Sequence, residues 1–129
     1  MKKGMTTVLT AKHFKLFEDE VKKWVDRFNL NDTFLLIRHS NLNGMLGELN
    51  YSYKARTATI FLAKKPKYPI MTNMVESEIK KTAFHEVCEL LLIRIGVLAE
   101  DRNWDPAEYE SETHAVIARL ENYLKPEDD

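Results

Sequence analysis

A chain of 129 residues, 44% hydrophobic and 30% charged, is sized and composed for one compact domain with its own core, spanning residues 1–129. Its net charge of -1 argues against a nucleic-acid partner held by phosphate neutralisation. The single cysteine, Cys88, excludes an intrachain disulfide and a cysteine-built zinc ribbon.

The lysines near the start are followed by Thr6, Thr7, Thr10 and Lys12 rather than an apolar stretch, so no signal peptide is read there. The longest strongly apolar run, Leu90 to Ile93, is far too short to cross a bilayer. No membrane partner is expected, and a reducing, cytoplasmic setting is.

Residues 11 to 28 carry Phe14, Phe17, Val21, Trp24 and Phe28 at three- and four-residue steps, which predicts an amphipathic helix capped by Thr10. Asn29 to Asp32 breaks it. Three strands are predicted next. Thr33 to His39 is a short apolar run, while Gly47 to Tyr53 and Arg56 to Ala63 alternate between apolar and polar positions. Lys54-Ala55 is short enough for a hairpin, and Asn41, Asn43 and Gly44 form turns in the preceding loop. A three-stranded antiparallel meander with one face covered by helices is the expected arrangement. The fold class is therefore α+β.

Lys64 to Thr72 reads as a loop punctuated by Pro66 and Pro69. A second helix is predicted from an Asn73 cap, with Glu76 three residues on, to about Ile95, where Gly96 supplies a stop. A last helix opens at Asp105-Pro106-Ala107-Glu108 and continues to about Leu124.

The chemistry concentrates on the second helix. In His85-Glu86-Val87-Cys88-Glu89, residues 85 and 89 lie one turn apart, about 40° around the axis, and project from one face. Glu86 lies about 100° away, at the rim of that face. Phe84, Val87, Cys88, Leu91 and Ile95 form the opposite, apolar side. Cys88 on that side reads as a small buried hydrophobe rather than a nucleophile. Two ligand side chains one helical turn apart, with a glutamate between them, are the arrangement by which zinc hydrolases hold a metal and polarise water.

The stretch Ala83-Phe84-His85-Glu86-Val87-Cys88-Glu89-Leu90-Leu91-Leu92 resembles the active-site helix of small zincins, the ImmA/IrrE-like and SprT-like metallopeptidases and their phage-encoded relatives. The order helix, antiparallel sheet, metal helix, further helix is similar to their minimal fold, over roughly residues 33 to 124. Glu89 stands where their motif has its second histidine. In Glu110-Ser111-Glu112-Thr113-His114, where such enzymes have a third ligand, His114 takes that role, with Glu110 as its substitute. The resemblance thus implies a Zn2+ site of His85, Glu89 and His114, with Glu86 as general base on water and a peptide or protein as substrate. The exchanged pattern and the ending Arg119-Leu120-Glu121-Asn122 are also similar to phage proteins of unassigned function.

On the last helix, wheel arithmetic puts His114 about 120° from the centre of the apolar stripe and Glu110 about 80° from it. Tyr109 is a further candidate, to assist a substrate carbonyl. His13 and His39, at a helix start and a strand end, fall outside the site. A second expectation from the same resemblance is a catalytically inactive zincin-like binding module of phage or mobile-element origin.

Overall fold

The computed structural model describes residues 4–52 and 55–99, the last six by backbone only, together with Ala107, Glu110, Ser111, Thr113, His114, Ile117, Ala118, Leu120 and Glu121. These residues form a mixed α+β fold with two long helices and two small sheets. The described residues from 107 to 121 are all helical.

Strand β1 (Met5–Thr6) leads into helix α1 (Ala11–Arg27). Thr10 caps α1 as expected, in an unusual form: its hydroxyl accepts from the His13 N–H at 3.5 Å, and its own N–H donates to His13 Nδ1 at 3.0 Å. The histidine thus fills the place that a glutamate takes in most capping boxes. Asn29, at φ 56°, reverses the chain after the helix, a left-handed conformation that asparagine tolerates. Phe17, Val21 and Trp24 of the predicted stripe are buried, and Phe14 and Phe28 pack against the same core.

Strands β2 (Phe34–Ser40), β3 (Gly47–Ser52) and β4 (Thr57–Ala63) form one sheet, in the order β2-β4-β3. The β3–β4 hairpin is antiparallel, with Gly47 opposite Leu62 and Ser52 opposite Thr57. The meander is overturned at β2, which runs parallel to β4, from Phe34 beside Thr57 to Ser40 beside Ala63. Burial supplies the reason. A meander would put β3 in the middle, yet β3 alternates Glu48, Asn50 and Ser52 with its apolar residues. β4 buries Ala58, Ile60, Leu62 and Ala63, and it takes the centre. The polar strand is left at the edge, where unpaired backbone groups meet solvent at low cost.

The predicted loop from 64 to 72 contains a short strand, β5 (Ile70–Met71), which pairs antiparallel with β1. A 3-10 turn (Thr72–Met74) then leads into helix α2 (Val75–Ala99). Asn73 lies within that turn rather than at its cap; the cap position is Met71, whose side chain makes no capping hydrogen bond. Gly96 does not end the helix. Val97, Leu98 and Ala99 prolong the helical run, and an interior glycine costs only about 1 kcal/mol relative to alanine.

Helices α1 and α2 pack on each other, and α2 also lies against β3. The core joins Phe17, Val21 and Trp24 of α1, Ile60 and Leu62 of β4, Ile79, Phe84, Val87 and Leu90 of α2, and Ile117. Trp24 meets Phe84 edge-on, with ring centres 4.6 Å apart. Each such side chain contributes about 1.5–3 kcal/mol by leaving water. The apolar side of α2 anchors it, and its other face is free to be polar. Among the described residues, no helix is long and apolar enough to cross a membrane.

Candidate metal centre

The polar face of α2 carries His85 and Glu89 one turn apart, with His85 Nε2 2.9 Å from Glu89 Oε2. His114 comes over from the C-terminal helical residues, and its Nε2 stands 4.0 Å from the same Glu89 oxygen. The two imidazole rings are 6.2 Å apart, centre to centre. One donor atom from each of the three residues lies within 4.8 Å of the others, and no other group of this kind occurs among the described residues.

Ligand atoms around a tetrahedral zinc, at bonds of about 2.0–2.1 Å, stand roughly 3.3 Å apart. The separations of 2.9 and 4.0 Å straddle that value. Two imidazole nitrogens and one carboxylate oxygen are also a donor set that first-row divalent ions accept. The residues therefore fit a metal ion.

His114 is half-exposed, with 52% of its side chain accessible, in keeping with its place at the edge of the apolar stripe. Glu110 is exposed and stands outside the three-residue group. Tyr109, Arg119 and Asn122 lie outside the described residues. His13 sits at the α1 cap, and His39 stacks on Phe14 with ring centres 5.1 Å apart; neither belongs to the site.

Glu86 projects beside the cluster and is only 5% exposed. Burial, reinforced by the neighbouring Glu89, pushes its carboxyl up to about 8, against the smaller opposing pull of His85. His85 moves the other way from its ordinary value, up to about 9, chiefly because its ring hydrogen-bonds the Glu89 carboxylate and also that of Glu121. Without a metal, the imidazolium is thus held between two carboxylates. Cys88, on the buried side of α2, is pushed up to about 12 by burial, which makes it a poor nucleophile.

Gly47, the first residue of β3, brings the strand backbone hard against this face. A Cβ built there would stand 2.5 Å from Thr82 Cγ2 and 3.2 Å from Glu86 Oε2. The glycine is required by space rather than by φ, which lies in the ordinary region. Met45, Leu46 and Gly47 form one wall of an open groove of about 470 Å³, and the polar face of α2 forms its floor. Lys81 at the rim is paired with Glu78 at 3.6 Å, not with Glu89.

Two contributors escape a reading by motif. One is Gly47. The other is Glu121, whose Oε2 lies 2.9 Å from His85 Nδ1. A signal for Glu121 was present in its spacing, seven residues beyond His114, because two helical turns return a side chain to nearly the same face.

No protein-family model matches the chain, and no curated protein matches it.

Proposed function

We propose that the protein is a zinc-dependent hydrolase, a zincin-like peptidase, with its metal held by His85, Glu89 and His114. The observation that carries this reading is the convergence of those three donor atoms within 4.8 Å at the floor of an open groove, with a buried carboxyl beside them. Two histidines and a carboxylate are a ligand set that catalytic zinc sites use, as in other zinc hydrolases, though further first-row ions accept it. When bound, zinc supplies Lewis acidity, which polarises a carbonyl and makes water a competent nucleophile near neutral pH.

The chain's own residues supply the rest. His85 and His114 bind through neutral nitrogens, so His85 gives up a proton when the site is filled. Glu86, next to His85 in sequence and facing the groove, takes a proton from the attacking water and returns one to the leaving amine. Burial and Glu89 raise this carboxyl in the metal-free site, and a bound dication would lower it again toward the ionised form that a base needs. Burial keeps it away from bulk water, and Met45 and Leu46 provide an apolar wall for a substrate side chain.

The test is metal analysis of the full chain purified without an affinity tag. About one zinc per chain is expected, lost in His85→Ala. Glu86→Gln should retain the zinc and abolish cleavage across a peptide library. Protein that takes up no metal from zinc-replete medium sinks the reading, whereas zinc binding with no Glu86-dependent cleavage leaves an inactive binding module.

A further inference from the structure

We propose that Glu121 is the positioning residue of the metal centre: its carboxylate takes the hydrogen bond from His85 Nδ1–H and so aims Nε2 at the ion. This rests on the metal site argued above and adds a residue outside the three ligands.

An imidazole that binds a metal must offer one unprotonated nitrogen, and its other nitrogen then carries hydrogen and needs an acceptor. The two nitrogens of His85 face different ways. Nε2 points to Glu89, inside the group of three donors, at 2.9 Å. Nδ1 points out of that group, to Glu121 Oε2, also at 2.9 Å. Glu121 has no part in the set of donor atoms that lie within 4.8 Å of one another, so it backs the ring rather than competing for the ion. Both partners are about two-thirds buried, at 34% and 33% side-chain exposure, which shelters the contact from solvent screening.

The chain around Glu121 supports the assignment. His114 and Glu121 are seven residues apart, about 20° around a helix, and Ile117 between them is wholly buried in the core. The described helical residues there, with Ile117 set in the core, would therefore present a ligand in front of the ion and a carboxylate behind His85. With His85 held from behind, a single tautomer is selected and its Nε2 becomes the better donor.

The experiment measures zinc affinity of the full chain by competition with a chromophoric chelator, and the visible spectrum of the cobalt-substituted protein, for the parent, Glu121→Ala and Glu121→Gln. The glutamine variant is nearly isosteric and carries the test if alanine loosens the helix, as circular dichroism would report. We expect one ion per chain in all three, affinity about 10- to 100-fold weaker in the variants, and cobalt bands of unchanged intensity. Equal affinity in parent and variants would overturn the positioning role and leave the metal centre standing. Altered cobalt band intensity would make Glu121 a ligand and overturn it as well. A parent that binds no metal would remove the metal site itself, and this inference with it.

Discussion

Gly47→Ala probes how closely β3 must approach α2. The new methyl would stand 2.5 Å from Thr82 Cγ2, well inside van der Waals contact, and 3.3 Å from Glu86 Cγ. Thr82 cannot swing aside freely, because its hydroxyl donates to the Glu78 carbonyl at 2.8 Å. Overpacking of this kind costs about 1–3 kcal/mol, and alanine restores about 0.4–1 kcal/mol by restricting the unfolded chain. A net loss of roughly 1–2 kcal/mol in urea unfolding is therefore expected. Thr82→Ser removes Cγ2 but keeps the hydroxyl, so the double variant should recover at least half of that loss. Glu86 must also shift, so the cleavage proposed above should weaken in the single variant and recover in the double. A Gly47→Ala protein as stable as its parent, or one that Thr82→Ser does not rescue, would refute the close-approach argument.

Three further outcomes follow from the charges. The His85 ring is held at about 9 by Glu89 and Glu121, so zinc must displace its proton at neutral pH; affinity should rise steadily from pH 6 to 9, with calorimetry in buffers of different ionisation heat reporting about one proton released. His39 is held below the usual histidine range by burial first and Lys64 second, so its folded value lies under its unfolded one. That stability is present in full above the unfolded value of about 6.5 and lost as the pH falls through the folded one; the slope of urea stability between pH 7 and 5 should flatten in His39→Phe. Glu89→His removes the acceptor facing His85 Nε2 while keeping a ligand type there, so the variant should still bind zinc but with a weaker dependence on pH; a pH dependence equal to the parent's would show that Glu89 does not hold the His85 proton.

Periodicity made the first helix and the β3–β4 hairpin legible, because Phe17, Val21 and Trp24, like Ile60 and Leu62, repeat with the period of their element and are buried as that period requires. The pairing of β2 was not legible. Alternation within a strand says which face is buried, but not which neighbour it will take or in what direction. That choice depended on the whole sheet placing β4, its most apolar strand, at the centre. The two-residue ribbon of β1 and β5 is too short to leave a pattern, and a capping motif at Asn73 lost to a 3-10 turn in the backbone. At the site, residues 85 and 89 were readable because helical geometry alone makes them neighbours. Their meeting with His114 and Glu121 is a tertiary fact: residue type and the resemblance pointed to His114, and only its spacing from His114 could have pointed to Glu121. Gly47 carried no local signal, since the space it saves belongs to Thr82 and Glu86 on another element.

In the metal site proposed above, carrying the carboxylate on α2 rather than on the C-terminal helical residues has an electrostatic consequence. A set of two histidines and one glutamate carries the same ligand charge whichever element bears the anion, so the attraction for a dication is unchanged. What changes is the neighbour of Glu86. Glu89 lies three residues along the same helix, on an adjacent face, and it is the second cause, after burial, of the raised Glu86 carboxyl. A histidine at that position would not add this push. Glu89 on α2 thus raises the groove's buried carboxyl in the metal-free site, and it also supplies the acceptor that holds His85 Nε2 in place before any ion arrives. Glu89 therefore acts on two neighbours at once, on Glu86 by repulsion and on His85 by hydrogen bonding.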